Sequence, residues 1–251
     1  MKLRKEQDAS QSYVNQRRLI LNSNASFHIQ EAYRSLQTNI RFSLPGKECK
    51  VICLTSSMAS EGKSTTSLNL AISMAETGNR VLLIDADMRR PSQGKLLIEK
   101  TSPGLSNVLA GLCDVRIAIR KDIRTNLDVL FSGEIPPNPL ELLGSKAMEK
   151  MLEELKSLYD YIVIDTPPAT IVADAGIIAS MADGTLLLVR QNEAEKDGVF
   201  KAVKQLQMAN AKLLGFVMNG VVDGSSKSYK RKYKYGYKYK YTYEAANRGK
   251  G

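Results

Sequence analysis

Histidine is almost absent from this chain of 251 residues, since His28 is the only one. Catalysis by a pair of histidines is therefore excluded, and so is a histidine-rich metal site. Cysteine is scarce as well. The three cysteines form no Cys-x-x-Cys pair, so we interpret them as ordinary core or surface residues rather than as metal ligands.

Hydrophobic residues make up 43% of the chain, which is enough to bury a full core, but they never form a long run. No stretch approaches the roughly 18 consecutive apolar residues that a membrane-spanning helix needs. Residues 1–10 are charged and lack the pattern of a secretory signal. We therefore expect a cytoplasmic protein.

Acidic residues are missing from one part of the chain, and this explains most of its net charge of +10. Residues 227–240 contain seven lysines and arginines and no acidic residue. The rest of the chain is close to balanced. A basic surface would ordinarily suggest nucleic acid or an anionic membrane as a partner, but here the excess belongs to a C-terminal tail.

Residues 51–66, VICLTSSMASEGKSTT, predict a phosphate-binding loop. An apolar strand runs into a loop of small residues, and an amphipathic helix follows at once. In such a loop the backbone N–H groups face the anion, the lysine adds positive charge and the serine hydroxyl binds Mg²⁺. Serine stands at position 57, where the loop formula has glycine. The predicted nucleotide-binding residues of this loop are Ser57, Ser60, Glu61, Gly62, Lys63, Ser64 and Thr65.

Short apolar strands alternate with amphipathic helices along the chain, which predicts an α/β fold with a mostly parallel sheet and helices on both faces. The predicted strands cover residues 51–54, 81–84, 127–131, 161–164, 186–189 and 214–218. The main predicted helices cover residues 28–41, 105–112, 140–159, 173–181 and 196–208. We expect a flexible N-terminal segment over residues 1–25, a folded domain over 26–222 and a disordered tail over 223–251.

Acidic residues follow two of the predicted strands, and the C-terminal ends of parallel strands meet at one edge of a sheet. Asp165 has the position of a carboxylate that holds Mg²⁺. Asp85 and Asp87 form a second pair, and both face the same way if the strand continues through Asp87. One of them is then available as a base. The alternative is that one caps the following turn or pairs with Arg89 or Arg90.

The motifs LLIDADMRRP, YIVIDTPP and SMASEGKST together resemble those of the bacterial tyrosine kinases of capsular and exopolysaccharide biosynthesis, of the cytoplasmic Gram-positive type. That family is related to the MinD and ParA ATPases, which are P-loop NTPases of the deviant Walker type. The resemblance covers residues 27–222 and implies ATP and Mg²⁺ as cofactors. Relatives have Pro-Gly where Ala59-Ser60 stands.

The resemblance also implies roles for individual residues, with Lys63 on the phosphates and Asn219 beside the adenine. The implied catalytic residues are Lys63, Asp85, Asp87 and Asp165. The implied Mg²⁺ ligands are Ser64, Asp87 and Asp165.

An E-x-x-R-x-x-R motif on the first helix serves ring assembly in this family. Glu31 and Arg34 match it, but Gln37 stands at the third position. Arg41 lies roughly 40° from Gln37 around a helix and is a candidate replacement; a solvent-facing Glu/Arg pair is the alternative. The resemblance implies a ring homo-oligomer. It also implies a separate transmembrane activator of the polysaccharide co-polymerase type, which recruits the protein to the inner face of the membrane.

The tail YKRKYKYGYKYKYTY holds seven of the eleven tyrosines. They are Tyr229, Tyr233, Tyr235, Tyr237, Tyr239, Tyr241 and Tyr243. An exposed β-strand and a nucleic-acid binder are possible interpretations. We favour a third, in which the tyrosines are phosphorylation sites for the kinase itself, and we expect no nucleic-acid partner.

The competing function is a MinD/ParA-like ATPase switch whose tail anchors it to membrane or DNA. The tail discriminates between the two, because an anchor needs the basic residues but not seven tyrosines.

Overall fold

The computed structural model describes residues 14–221, so the tail tyrosines lie outside the described residues. Its centre is a seven-stranded sheet in the order β3-β4-β2-β5-β1-β6-β7. The strands are β1 (Lys50–Ser56), β2 (Val81–Asp85), β3 (Arg120–Arg124), β4 (Leu127–Leu130), β5 (Tyr161–Asp165), β6 (Gly184–Arg190) and β7 (Leu213–Asn219). All neighbouring strands are parallel except β3, which is antiparallel to β4. The predicted mostly parallel sheet is confirmed.

Helices cover both faces of this sheet. They are α1 (Phe27–Ser43), α2 (Lys63–Glu76), α3 (Gln93–Leu97), α4 (Leu105–Leu109), α5 (Val115–Ala118), α6 (Pro139–Leu143), α7 (Lys146–Lys156), α8 (Asp174–Met181) and α9 (Lys196–Met208). None of the helices among the described residues is both long and apolar enough to span a bilayer.

Alternate residues of each strand face two separate hydrophobic cores. In β1, Val51 and Cys53 face the core covered by α4 to α9, whereas Ile52 and Leu54 face the core covered by α1 to α3. Because both faces are covered, the central strands are apolar throughout, as is typical of buried parallel sheets.

The single helix predicted over residues 140–159 is wrong, because the segment forms two helices. Helix α6 ends at Leu143, Gly144 follows it, and Ser145 begins a new helix. The Ser145 hydroxyl accepts a hydrogen bond from the Met148 N–H, as an N-cap side chain does. Hydrophobic periodicity runs across the break, since both helices bury apolar side chains in the same core.

Strand β3 was not predicted, because its sequence RKDIR is charged and does not alternate. Asp128 on β4 holds it in place. The Asp128 carboxylate accepts hydrogen bonds from the Lys121 ammonium at 2.7 Å, the Asp122 N–H at 2.9 Å and the Tyr159 hydroxyl at 2.6 Å. The strand therefore depends on polar contacts with the neighbouring strand β4, and Tyr159 joins them from farther along the chain.

Residues 19–21 lie in the segment predicted to be flexible, and for them the prediction is wrong. Leu21 is buried, and its N–H donates to Asn69 Oδ1 on α2 at 2.7 Å. Asn69 Nδ2 donates to the carbonyl of Leu19 at 2.9 Å and to the hydroxyl of Tyr33 on α1 at 3.1 Å. One asparagine thus joins the N-terminal segment, α1 and the helix of the phosphate loop.

We expect Asn69→Ala to lower the free energy of unfolding by about 2 kcal/mol, because it leaves the buried N–H of Leu21 without its acceptor. Urea denaturation measures the change. Asn39→Ala on the exposed face of α1 is the matched control, and we expect it to stay within about 0.5 kcal/mol of the original chain. Equal effects of the two substitutions would contradict the role of Asn69.

Candidate active site

Four strands end at the same edge of the sheet and bring the predicted site residues together. The register pairs Asp85 at the end of β2 with Asp165 at the end of β5, and Asp165 in turn with Leu54 of β1. The phosphate loop follows β1, and Asn219 ends β7. The sequence predicted this convergence from strand ends alone.

The loop between β1 and α2 enters the helix through a residue in the left-handed conformation. Gly62 is the N-cap of α2 with φ +91°, a left-handed conformation that favours glycine. Asn219 Nδ2 donates to the Glu61 carbonyl at 2.8 Å, and a Cβ at position 62 would collide with that same amide. Asn219 therefore supports the loop directly, which the sequence did not predict.

The Glu61 side chain makes hydrogen bonds to other residues of the same loop. It is buried, and its carboxylate accepts the Ser57 hydroxyl at 2.9 Å and 3.0 Å and the Met58 N–H at 2.8 Å. Ser57, which replaces the glycine of the loop formula, thus has a partner that glycine lacks. Because this contact joins two side chains inside one short loop, neither periodicity nor spacing indicates it.

Ser60 lies in the phosphate loop, and its φ is +69°. A non-glycine residue in this region carries backbone strain. The Arg190 guanidinium donates to the Ser60 carbonyl at 3.0 Å and helps to hold this conformation.

Lys63 points at a carboxylate of the second acidic motif. Its Nζ lies 3.0 Å from Asp87 Oδ2, and the two side chains are 13% and 5% exposed. Burial alone would lower the pKa of Lys63, but the charges of Asp165 and Asp87 outweigh it, so that pKa is raised. The lysine therefore stays charged at neutral pH.

Strand β2 ends at Asp85, so it does not continue through Asp87, which was the condition for expecting both side chains to face the same way. Asp85 Oδ2 accepts the N–H groups of Ser92 at 3.2 Å and Gln93 at 3.1 Å, at the start of α3. Asp87 Oδ1 accepts the Arg90 N–H at 3.0 Å. Both carboxylates thus stabilise the following turn, which was the alternative interpretation for one of them.

Within residues 14–221, Arg89 forms no ion pair with Asp85 or Asp87. Its guanidinium donates two hydrogen bonds to the buried Asp174, at 2.8 Å and 3.0 Å. This pair joins the acidic motif to α8.

Burial and like charge act strongly on the two strand-end aspartates. Burial, followed by the charge of Asp165, raises the pKa of Asp85 to about 8. Burial also raises the pKa of Asp165, although the charge of Lys63 and a hydrogen bond with Ser64 oppose it. Removing one carboxylate or adding a cation would relieve the repulsion.

The sequence predicted neither helix α3 nor a role for Gln93, the residue at which this helix begins. The side chain is fully buried. Its amide Nε2 donates to Asp165 Oδ2 at 2.9 Å and to the Ser64 carbonyl at 3.0 Å. A glutamine after RRPS has no distinctive sequence signal, so only the tertiary contacts reveal its place.

The donor set suits a magnesium nucleotide. Mg²⁺ prefers oxygen ligands and is usually held by one or two carboxylates together with substrate phosphates. Ser64, Asp87 and Asp165 offer a hydroxyl and two carboxylates beside the loop. Among residues 14–221, no group of three or more His, Cys, Asp or Glu side chains is placed to hold a metal without such additional ligands.

The predicted assembly motif lies on the surface of α1. Arg34 Nη1 and Glu31 Oε1 form an exposed ion pair at 2.8 Å within the helix. Gln37 Nε2 instead donates to the Thr77 hydroxyl at 2.8 Å, at the end of α2. Arg41 lies 5.4 Å from the centre of the Phe42 ring. The third motif position therefore makes a contact within the chain.

The chain is similar to known proteins in sequence and in fold. A family model described as an AAA domain matches residues 49–214, which include the loop and the strand-end aspartates. Tyrosine-protein kinase YwqD of Bacillus subtilis is 42% identical over 190 residues, which are 76% of this chain and 80% of that protein. The chain belongs to the bacterial tyrosine-protein kinases.

Two solved structures resemble the kinase closely. The kinase domain of the Escherichia coli tyrosine kinase ETK has a TM-score of 0.76 and 32% identity, covering 79% of this chain and 78% of that one. The chimerical protein CapA2B2 has a TM-score of 0.75 and 35% identity, covering 80% and 88%. The kinase family indicated by the motifs is confirmed, and so is the P-loop NTPase fold; the alternative of an ATPase switch is disfavoured.

We expect Ser60→Gly to stabilise the kinase by about 0.5–1 kcal/mol, because relief of the left-handed strain exceeds the extra entropy of glycine in the unfolded chain. Urea denaturation measures it. The control is Ser23→Gly at an exposed turn whose φ is not in the left-handed region, where only the entropic loss applies. Destabilisation by both substitutions would contradict the strain at Ser60.

We also expect the nucleotide-free kinase to lose stability as pH rises. Between the unfolded carboxyl pKa of about 4 and the folded Asp85 pKa of about 8, the folded state binds more protons than the unfolded state. Stability therefore falls with rising pH across this window. Urea midpoints between about pH 5 and about pH 9 should fall less steeply in Asp85→Asn than in the original chain; parallel curves would contradict the assignment.

Proposed function

We propose that this tyrosine-protein kinase uses ATP and Mg²⁺ to phosphorylate the tyrosines of its own tail in trans, and that it thereby regulates capsular or exopolysaccharide synthesis. The observation that carries the proposal is the buried group of Lys63, Asp87 and Asp165 beside the phosphate loop. Kinase families with this arrangement work chiefly by positioning and by electrostatic stabilisation.

Lys63 has the reach and the charge to bind the nucleotide phosphates. On binding it would leave Asp87, whose second oxygen also accepts the Arg90 N–H. Ser64, Asp87 and Asp165 would hold Mg²⁺. The bound cofactor supplies the γ-phosphoryl group and a divalent charge that neutralises the negative charge developing during transfer.

Asp87 is the better candidate for the base that takes the tyrosine proton. A tyrosine hydroxyl has an unperturbed pKa of about 10 and needs a base in order to attack at neutral pH. Asp85 is enclosed, with its oxygens accepting three backbone N–H groups. We therefore assign Asp85 to positioning Asp87, whose own N–H it accepts. The γ-phosphoryl group passes to the tyrosine oxygen, the proton passes to Asp87, and ADP leaves.

The tail is a suitable substrate by composition and by length. Seven tyrosines lie within residues 229–243. The chain from Val221 to Tyr243 can span about 70 Å when it is extended, at about 3.3 Å per residue. That length is enough to reach the site of a neighbouring subunit.

Transfer between subunits requires self-association, and the exposed Glu31–Arg34 pair on α1 supports a ring of subunits in which these charges contact the next copy. We further propose a cytoplasmic location at the inner face of the membrane, where a separate transmembrane protein of the polysaccharide co-polymerase type recruits and activates the kinase. A partner of this kind is what the resemblance to the bacterial tyrosine kinases of capsular and exopolysaccharide biosynthesis implies.

A mixing experiment tests both the acceptor and the direction of transfer. One full-length chain carries Lys63→Met with all tail tyrosines intact, and a second of different tag size carries Tyr→Phe at the seven tail positions. They are incubated together with labelled ATP, Mg²⁺ and the cytoplasmic segment of a candidate activator. We expect phosphotyrosine on the Lys63→Met chain only, because the active site of the other chain phosphorylates its tail.

Each chain alone is the control and should carry little label. Label on the tail-substituted chain would contradict the tail as the acceptor. If the original chain is labelled but the mixture is not, transfer occurs within one subunit. ATP hydrolysis by the original chain without any phosphotyrosine would contradict the proposed reaction.

A further inference from the structure

Gln93 is a fully buried neutral side chain that bonds to two residues of the proposed magnesium site, Asp165 and Ser64. Its Nε2 donates to Asp165 Oδ2 and to the carbonyl of Ser64. Its backbone N–H donates to Asp85 Oδ2. The residue thus joins the ends of β2 and β5 to the first turn of α2.

The orientation of the Gln93 carboxamide is determined by its partners. The Ser64 carbonyl oxygen can only accept a hydrogen bond, so the carboxamide atom that faces it is the NH₂ group, and this same nitrogen contacts Asp165 Oδ2. The carboxamide oxygen Oε1 is consequently the other atom. It is buried, and no donor among the described residues lies within hydrogen-bonding distance of it.

A buried acceptor without a donor is costly, and such atoms in folded proteins usually have a water or an ion nearby. Oε1 belongs to the same rigid planar group as the nitrogen that contacts Asp165 and Ser64. It therefore lies in the same buried cluster as Asp165 and Ser64, two of the residues that would hold Mg²⁺. Since Mg²⁺ keeps several of its waters when it binds to proteins, its hydration shell is a source of donors.

We propose that Gln93 Oε1 accepts a hydrogen bond from a water bound to Mg²⁺ and that Gln93 is a positioning residue for the metal. The inference rests on the proposed use of Mg²⁺. One side of the carboxamide orients Asp165, and the other holds a metal-bound water. The residue thereby favours the arrangement of Asp165 and Ser64 in which both face the cation.

A magnesium titration of nucleotide binding tests this role without measuring catalysis. The full-length kinase is titrated with a fluorescent N-methylanthraniloyl derivative of ADP, first in EDTA and then at rising Mg²⁺. Gln93→Met keeps the length of the side chain but removes its donor and acceptor. Gln205→Met, at an exposed position of α9, is the matched control.

We expect Gln93→Met to raise the Mg²⁺ concentration at half-maximal binding by about tenfold, as loss of an outer partner of a metal site does. Nucleotide affinity in EDTA should change by less than about twofold, because the residue acts through the metal. Gln205→Met should leave both quantities unchanged. If Gln93→Met fails to fold, as judged by urea denaturation, Gln93→Asn replaces it, since the shorter amide withdraws from the same contacts.

Two results would overturn the inference while leaving the proposed cofactor intact: an unchanged Mg²⁺ midpoint, or an equal loss of affinity with and without Mg²⁺. The second would show that Gln93 shapes only the loop. If nucleotide binding by the original chain is indifferent to Mg²⁺, the proposed cofactor itself fails, and the role of Gln93 fails with it.

Discussion

Three buried aspartates share one lysine at the edge of the central sheet, and the rest of the site depends on how their charges are balanced. Asp85 and Asp165 are fully buried and Asp87 nearly so. A carboxylate in such a place is costly unless it is paired or hydrogen-bonded. Lys63 supplies the positive charge, and backbone N–H groups at the start of α3 supply hydrogen bonds. The balance is incomplete, because the pKa values of Asp85 and Asp165 are both raised.

This electrostatic imbalance suits a site that binds a divalent cation together with phosphates. The cation would favour the ionised carboxylates, and the phosphates would draw Lys63 away from Asp87. Binding of the cofactor and ionisation of the buried aspartates are therefore coupled, because both depend on the same few side chains. The fold contributes by placing these groups at the carboxyl ends of parallel strands, which is where such sheets bind ligands.

The phosphate loop is supported by hydrogen bonds from within the loop and from the elements around it. Ser60 takes a left-handed conformation without glycine, and Glu61 bonds back to Ser57 from within the loop. Asn219 and Arg190 reach the loop from neighbouring strands. Asn69, on the helix that follows, connects it to α1 and the N-terminal segment. The loop is therefore held by side chains from several elements of the fold.

The sequence by itself determined the parallel α/β class, the phosphate loop and the placing of Asp85 and Asp165 at strand ends, because hydrophobic runs and loop composition are properties of consecutive residues. Its motifs also indicated the kinase family. Only the tertiary structure decided that β2 ends before Asp87, that β3 forms around Asp128, and that Gln93 lies between Asp165 and Ser64. These features depend on hydrogen bonds made by polar side chains, some within a few residues and some, as between Gln93 and Asp165, between residues distant in the chain. Such contacts leave no periodic pattern in the sequence. Each partner is a common polar residue, and only the folded structure shows which residue it contacts.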